Sequence, residues 1–189
     1  MYLIFDTETT GLPKSWKAPV FQVNNWPRVI QMAWQVFDAA GDRIDEYSGL
    51  VRPEGFVIPV EAEKVHGIST AAATEHGTPI AQVLEKFRSA ISRASLLVGH
   101  NINFDMNVVG AEFFRLENGN PLAKARRLCT MEVSTNFCAI PGKYGFKWPT
   151  LPELHERLFG ESVKELHDAK ADVETCARCF FELKRLGVF

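Results

Sequence analysis

The sequence has little net charge and no long apolar run, and each shortage narrows the classes of protein to which it can belong. The formal net charge is -2 at pH 7, which argues against a protein that coats nucleic acid by charge alone. It does not argue against a protein that grips one strand end. No segment approaches the roughly 18 apolar residues of a membrane span. We therefore expect a soluble cytoplasmic protein with no membrane partner.

Cysteine is also scarce, with four in the chain. Cys176 and Cys179 have the Cys-x-x-Cys spacing of a metal knuckle, but they fall inside a predicted helix. Cys129 and Cys138 do not repeat that spacing. We expect free thiols at these positions and no structural zinc.

The order of predicted strands and helices indicates one α/β domain over residues 1–189. A first strand and a hairpin precede any helix, and strands that end at helix starts follow. Thr78 and Thr150 have the composition of helix N-caps. The predicted strands are 2–5, 28–37, 43–51, 95–99 and 128–131, and the predicted helices begin near residues 80, 102, 150 and 169.

Two carboxylates follow the first predicted strand, one residue apart. Asp6 and Glu8 leave a strand on the same side because side chains alternate along it. Two such groups repel each other unless a cation, a proton or a basic partner compensates them. The nearest basic residue is Lys14, beyond the turn. A divalent ion with oxygen ligands is therefore the favoured compensator, and the alternative is a solvated strand end.

Further polar residues occur at comparable places. Asp105 lies in the first turns of the helix after the strand 95–99, Asp172 lies in the first turn of the last helix, and His167 precedes that helix. The chain thus delivers four carboxylates and one histidine to strand ends and helix starts.

Three motifs in this order resemble those of the DEDDh 3′-to-5′ exonucleases of the RNase H-like superfamily, which include the epsilon subunit of bacterial DNA polymerase III. Asp6–Gly11 resembles the Asp-x-Glu-x-Thr-Gly motif, His100–Asp105 resembles His-Asn-x-x-Phe-Asp, and His167–Asp172 resembles a His followed five residues later by Asp. The segment His66–Ile68 resembles a further family element. The resemblance covers essentially the whole chain.

This resemblance implies an RNase H-like α/β fold with a mixed five-stranded sheet flanked by helices. It implies two divalent ions, Mg²⁺ or Mn²⁺, one held by Asp6, Glu8 and Asp172 and the other by Asp6 and a water-mediated Asp105. It assigns His167 the proton of the attacking water. The substrate-binding residues that it implies are Thr9, Gly11, Leu12, His66, Asn101 and Phe104.

The predicted activity is release of nucleoside monophosphates from the 3′ end of single-stranded DNA, as in proofreading or repair. The alternatives are RNA or short oligonucleotides as substrate, a hydrolase of small phosphodiesters, and a non-catalytic nucleic-acid-binding domain on the same fold. A polymerase or repair partner is left open, as is the role of the irregular loop Lys14–Pro27. A second loop, Gly142–Pro149, interleaves lysines with aromatic residues and suits either contact with a single strand or plain packing.

Overall fold

A computed structural model describes residues 1–117, 119–163 and 167–189 of the chain. Its strands are β1 Tyr2–Thr9, β2 Val29–Phe37, β3 Arg43–Leu50, β4 Leu96–Gly99, β5 Arg127–Cys129, β6 Pro141–Gly142 and β7 Gly145–Phe146. Its α-helices are α1 Val60–His66, α2 Thr70–His76, α3 Ile80–Arg93, α4 Ile102–Glu117, α5 Thr130–Val133, α6 Thr135–Cys138, α7 Leu151–Phe159 and α8 Ala169–Arg185. None of the helices in these described ranges is long and apolar enough to cross a membrane.

The main sheet has five strands in the order β3-β2-β1-β4-β5. Strand β1 is antiparallel to β2 and parallel to β4, and β4 is parallel to β5. This mixed sheet with helices around it confirms the predicted fold class. The central position of β1 brings the first motif to the middle of the molecule.

Strand β1 is longer than the sequence suggested, since it continues through Asp6 and Glu8 to Thr9. The prediction ended the strand where its apolar residues end, at Phe5. Pairing with β2 extends the strand, and Glu8 lies opposite Gln31. Pairing with β4 covers only Tyr2–Ile4. The acidic part of β1 is therefore bonded along one edge and lies beyond the paired part of β4 on the other.

The alternation of side chains along β1 sends neighbouring residues to different cores. Leu3 and Phe5 belong to the core with α3 and α4, whereas Ile4 belongs to the core with α7 and α8. By the same alternation, Asp6 and Glu8 share the face of Ile4, and Thr7 shares the opposite face. The first motif therefore turns its two carboxylates toward α8 and Thr7 toward α4.

Three local predictions were wrong. Thr78 does not cap α3, because its backbone pairs with Leu50 and Arg52 at the edge of the sheet and Pro79 takes the cap position. The predicted strand 128–131 ends at Cys129, where α5 begins. The segment 142–149 is not all loop, since β6 and β7 pair in a short hairpin. In contrast, Thr150 does cap α7, in a complete capping box with Glu153.

All four cysteines are buried and free. Burial raises the pKa of the Cys176 thiol well above its ordinary value and raises that of Cys179 to about 12. Cys138, Cys176 and Cys179 pack in the core around α8, and Cys129 packs in the core with α3 and α4.

Candidate active site

Three carboxylates meet at the end of β1. One oxygen each of Asp6, Glu8 and Asp172 lies within 4.8 Å of the others. Strand β1 presents the first two on one face, and the first turn of α8 supplies the third. Because carboxylates this close repel one another, the arrangement has the chemistry of a site for a hard divalent cation.

The start of α8 is held in place by Gln31 of β2, the partner of Glu8 across the sheet. Gln31 donates from Nε2 to Asp168 Oδ2 (2.9 Å) and accepts from the backbone N–H of Ala169 at Oε1 (3.1 Å). Asp168 in turn caps the helix by accepting from the N–H of Ala171 (3.0 Å). These bonds fix the position of Asp172, one turn further on, against β1.

Asp105 lies outside this triad, on the α4 side of β1, and is almost completely buried. Its Oδ1 atom accepts two hydrogen bonds from Thr7, one from the backbone N–H (3.1 Å) and one from the hydroxyl (2.7 Å). The residue between the two acids of the first motif thus orients the acid of the second.

Three of these carboxyl groups have raised pKa values. Burial is the largest cause for Asp6, whose pKa is raised well above its ordinary value, and the charges of Asp105 and Asp172 add to it. Burial likewise raises the pKa of Glu8 to about 8 and that of Asp105 to about 7, although the Thr7 hydroxyl lowers the latter. The residues present therefore fit cations that would replace these protons.

The carboxylates open into a cavity of about 710 Å³. No lysine or arginine of the described residues lines it, so this part of the chain offers no side-chain cation to the acids. All the predicted substrate-binding residues line this cavity, namely Thr9, Gly11, Leu12, His66, Asn101 and Phe104. Leu12 is 74% exposed, and Thr9 donates its hydroxyl proton to the carbonyl of Gly11 (2.7 Å), which shapes the turn.

His167 also lines the cavity, with its backbone in the left-handed region at φ 43°. A residue other than glycine is rare there, and such strain is frequent at functional sites. The next residue, Asp168, is the N-cap of α8, and Asp172 lies in the first turn of that helix. One segment therefore brings both His167 and Asp172 to the cavity.

His66 lines the same cavity. Its Nδ1 atom accepts from the N–H of Ile68 (3.0 Å), and its buried Nε2 atom has no partner in the described part of the chain. Burial lowers the pKa of His66, Glu63 opposes this, and the nearby His167 reinforces it. A neutral ring whose Nδ1 accepts carries its proton on Nε2.

His100 has a structural position that sequence reasoning did not predict. Its ring nitrogens bond to Thr130 Oγ1 and to the carbonyl of Pro149, both at 3.0 Å. Burial lowers the pKa of His100 to about 4, so the ring is neutral at pH 7. It joins the start of α4 to the start of α5 and to the segment before α7.

Other residues at the site were missed as well. Thr7 and Gln31 position the carboxylates, and the alternation of β1 and the pairing of β2 were the signals available for them. Trp16, also missed, lines the cavity with an exposed indole ring, as does Trp148 of the segment Gly142–Pro149, for which strand contact was one of the two predicted roles. Trp16 lies in the loop Lys14–Pro27, whose irregular composition gave no signal for a cavity wall.

Comparison with known proteins places these features in a family. A family model described as Exonuclease matches residues 3–180. The PolC-type DNA polymerase III of Lactococcus lactis is 28% identical over 180 residues, which are 95% of this chain and 10% of that protein. The PolC-type DNA polymerase III of Staphylococcus aureus is 26% identical over 191 residues, 99% of this chain and 12% of that protein.

Solved structures of E. coli exonuclease I share the fold. Its complex with a dA16 oligonucleotide has a TM-score of 0.73 at 21% identity, and its zinc-bound complex with single-stranded DNA has a TM-score of 0.77 at 20% identity. Each match covers 97% of this chain and 40% of the other. The chain thus spans about a tenth of the length of the polymerases and less than half of exonuclease I. With the family model matched over nearly its whole length, the chain belongs to the exonuclease family, in the DEDDh group of the RNase H-like superfamily.

Proposed function

We propose that this chain is a metal-dependent exonuclease domain that releases nucleoside monophosphates from the 3′ end of single-stranded DNA. The observation that carries the proposal is the meeting of Asp6, Glu8 and Asp172 in a cavity that no described lysine or arginine lines. The DNA complexes of the exonuclease I neighbours support DNA as the substrate. The polymerase relatives support a role in proofreading or repair, beside a polymerase or repair partner.

The carboxylates would hold two divalent ions, Mg²⁺ or Mn²⁺. Asp6, Glu8 and Asp172 would hold one, and Asp6 with a water-mediated Asp105 would hold the other. A ligand set made of carboxylates suits these cations, whereas zinc usually recruits nitrogen or sulfur. When bound, such ions provide a nucleophile at neutral pH and neutralise charge on the attacking and leaving oxygens of a phosphodiester.

His167 would accept the proton of the attacking water. An imidazole has an ordinary pKa close to neutral pH, which suits a general base. The ring lines the cavity on the segment that leads directly into α8, so the helix that positions Asp172 also positions the base. His66 lines the same cavity and would contact a base.

The turn after β1 would bind the terminal nucleotide. Gly11 has φ 137°, a conformation that favours glycine, and the hydroxyl of Thr9 is engaged within the turn. Backbone groups of this turn are then available to the nucleotide, and the exposed Leu12 would pack against a base. Asn101 and Phe104, at the start of α4, line the same cavity. They would complete the pocket for the base.

A time course with a 5′-labelled single-stranded DNA, beside the same sequence as RNA, tests the proposal. We expect a ladder that shortens from the 3′ end with Mg²⁺ or Mn²⁺, no cleavage with EDTA, and faster shortening of DNA than of RNA. Internal cleavage, or no cleavage of either strand with either metal, would contradict the assigned activity. Faster shortening of RNA would reassign the substrate.

The variant Asp6→Asn should abolish the ladder, because Asp6 is shared between both proposed ions. Asp45→Asn is its matched control, since Asp45 is a surface carboxylate of β3 that pairs with Arg93 away from the cavity. Retention of more than a few per cent of activity in Asp6→Asn would contradict the two-ion assignment.

A further inference from the structure

Trp16 is an aromatic side chain that the fold leaves 58% exposed at the wall of the cavity. Its indole packs against the ring of Phe104, with ring centroids 5.8 Å apart and planes inclined by 50°. Phe104 directly precedes Asp105 on α4. The exposed part of Trp16 therefore borders the space into which the carboxylates open.

The segment that carries Trp16 is held firmly by Asn25, although it belongs to an irregular loop. The N–H of Ser15 donates to Asn25 Oδ1 (2.8 Å), and Asn25 Nδ2 donates to the carbonyl of Ser15 (2.9 Å). The N–H of Lys14 donates to the carbonyl of Asn25 (3.0 Å). A residue that binds a ligand from such a fixed segment loses little conformational freedom on binding.

The far end of the loop is tied to α4. Arg115 donates from Nη2 to the carbonyls of Val23 (2.6 Å) and Trp26 (2.8 Å). Arg115 itself pairs with the buried Glu112. Both ends of the loop are thus anchored, and the exposed indole is presented to the cavity from a defined position.

The charge around Trp16 suits a polyanion. Lys14 and Lys17 flank it in sequence and both are exposed, whereas the cavity beside it is lined by carboxylates and by no described lysine or arginine. An exposed aromatic ring with lysines at its sides is the usual composition of a surface that binds single-stranded nucleic acid, with the ring for a base and the lysines for phosphates.

We propose that Trp16 is a stacking platform for a base of the bound strand on the 5′ side of the terminal nucleotide, with Lys14 and Lys17 attracting the neighbouring phosphates. This inference rests on the proposed function. The turn up to Leu12 is assigned to the terminal nucleotide, and Trp16, four residues beyond Leu12, lines the same cavity. Trp16 therefore sets how tightly a strand is held and leaves the hydrolytic step unchanged.

Phe21 provides a matched control in the same loop. It is 63% exposed and packs on Phe114 of α4 at 6.5 Å, as Trp16 packs on Phe104 of the same helix. Phe21 is not among the described residues that line the cavity. Both are aromatic side chains of one loop that pack against α4. Of the two, Trp16 is the one placed to contact the nucleic-acid strand.

Two substrates separate binding of the strand from hydrolysis. One is a single-stranded DNA of 15 thymidylates, and the other is the p-nitrophenyl ester of thymidine 5′-monophosphate, which has a terminal nucleotide but no upstream base. For Trp16→Ala we expect the KM for the strand to rise about 5- to 150-fold, from the loss of one base stack. The kcat for the strand and both constants for the ester should stay within about twofold. Trp16→Phe should lie between, and Phe21→Ala should match the unsubstituted protein.

The outcomes distinguish this inference from the function on which it rests. Equal losses on strand and ester, or a KM for the strand in Trp16→Ala that matches Phe21→Ala, would overturn the stacking role while leaving the exonuclease standing. Failure of the unsubstituted protein to degrade the strand would overturn the proposed function and this inference with it. Melting temperatures of the variants, measured alongside, identify any loss that arises from unfolding, and Trp16→Phe then carries the test.

Discussion

Thr7 donates both its backbone N–H and its hydroxyl to the same oxygen of Asp105, Oδ1, at 3.1 and 2.7 Å. Thr7 belongs to the first motif, on β1, and Asp105 to the second, on α4. Their contact lies on the face of the sheet opposite to Asp6 and Glu8. Asp6 and Glu8 thus face one side of the strand, while Thr7 between them fixes the Asp105 carboxylate on the other side.

Thr7→Val should reduce activity about 10- to 100-fold, because it removes one hydrogen bond to an ionisable group at nearly constant volume. The backbone bond remains, so the fold should persist. Rate measurements on single-stranded DNA check this expectation. Thr74→Val is the control, since the exposed Thr74 hydroxyl donates to the carbonyl of Thr70 within α2, away from the carboxylates. Equal rates in Thr7→Val and Thr74→Val would show that the hydroxyl does not position Asp105.

Stability without metal should fall as the pH rises from 6.5 to 8.5. The pKa of Glu8 is raised to about 8 and that of Asp105 to about 7, so the folded state binds protons in this window that the unfolded state has released. Thermal unfolding in EDTA should therefore give a lower melting temperature at pH 8.5 than at pH 6.5. Mn²⁺ should reduce or reverse the difference, because cations bind the ionised carboxylates.

Glu8→Gln is the control for this pH dependence. It removes the titrating group, so its melting temperature in EDTA should depend less on pH and exceed that of the unsubstituted protein at pH 8.5. A melting temperature of the unsubstituted protein that is constant or rising across the window would contradict the proton uptake.

His100→Ala should lower the free energy of unfolding by about 2 kcal/mol at pH 7, because two partly buried hydrogen bonds are lost. The pKa of His100 is lowered to about 4 in the folded state, so its contribution is lost as the pH falls from about 6.5 to 4. The cost of the substitution should therefore shrink at pH 4.5. Urea unfolding at both pH values measures it, with the exposed His76→Ala as reference. A cost independent of pH would rule out a neutral buried ring.

His167→Asn should lower kcat by about 10²- to 10⁴-fold and leave KM within about threefold, as expected for loss of a general base. Asparagine tolerates the positive φ of this position better than alanine does, so a loss in this variant reports on the imidazole. Steady-state kinetics on the labelled DNA measure it. An unchanged kcat would assign the proton to another group.

The hairpin of β6 and β7 should matter for strand binding and not for stability. Tyr144 is 91% exposed at its tip, so the packing alternative left open for this segment does not hold for that ring. Tyr144→Ala should leave the melting temperature unchanged and weaken affinity for single-stranded DNA about 5- to 10-fold, within the range of one stacked base. A lower melting temperature with unchanged affinity would reverse this assignment.

The hydrophobic pattern predicted one α/β domain with its long strands and helices, and the mixed five-stranded sheet was implied by the family resemblance. The hydrophobic pattern failed where backbone hydrogen bonds determine the structure. Polar residues continue β1 because β2 pairs with them, and Thr78 extends a sheet edge because its N–H and carbonyl bond to Leu50 and Arg52. Neither event leaves a mark on hydrophobic periodicity.

For the site, the motifs led to residues that the structure does bring to one cavity, and their predicted roles remain to be tested. The arrangement within the cavity was beyond the sequence. That Asp105 is held apart from the triad depends on Thr7, and the position of Asp172 depends on Gln31, a residue 141 positions away in the chain. Such dependence arises from tertiary contact, which one sequence without relatives does not reveal.

The buried thiols have a practical consequence for studies in solution. Reagents such as maleimides attack thiolates that they can reach, and here all four cysteines are buried, with the pKa values of Cys138, Cys176 and Cys179 raised. A cysteine introduced on the surface, for instance by Ser92→Cys, would then react far faster than the native ones. The chain can thus be labelled selectively with a dye at the introduced cysteine. Distance measurements by energy transfer then need no prior removal of the native cysteines.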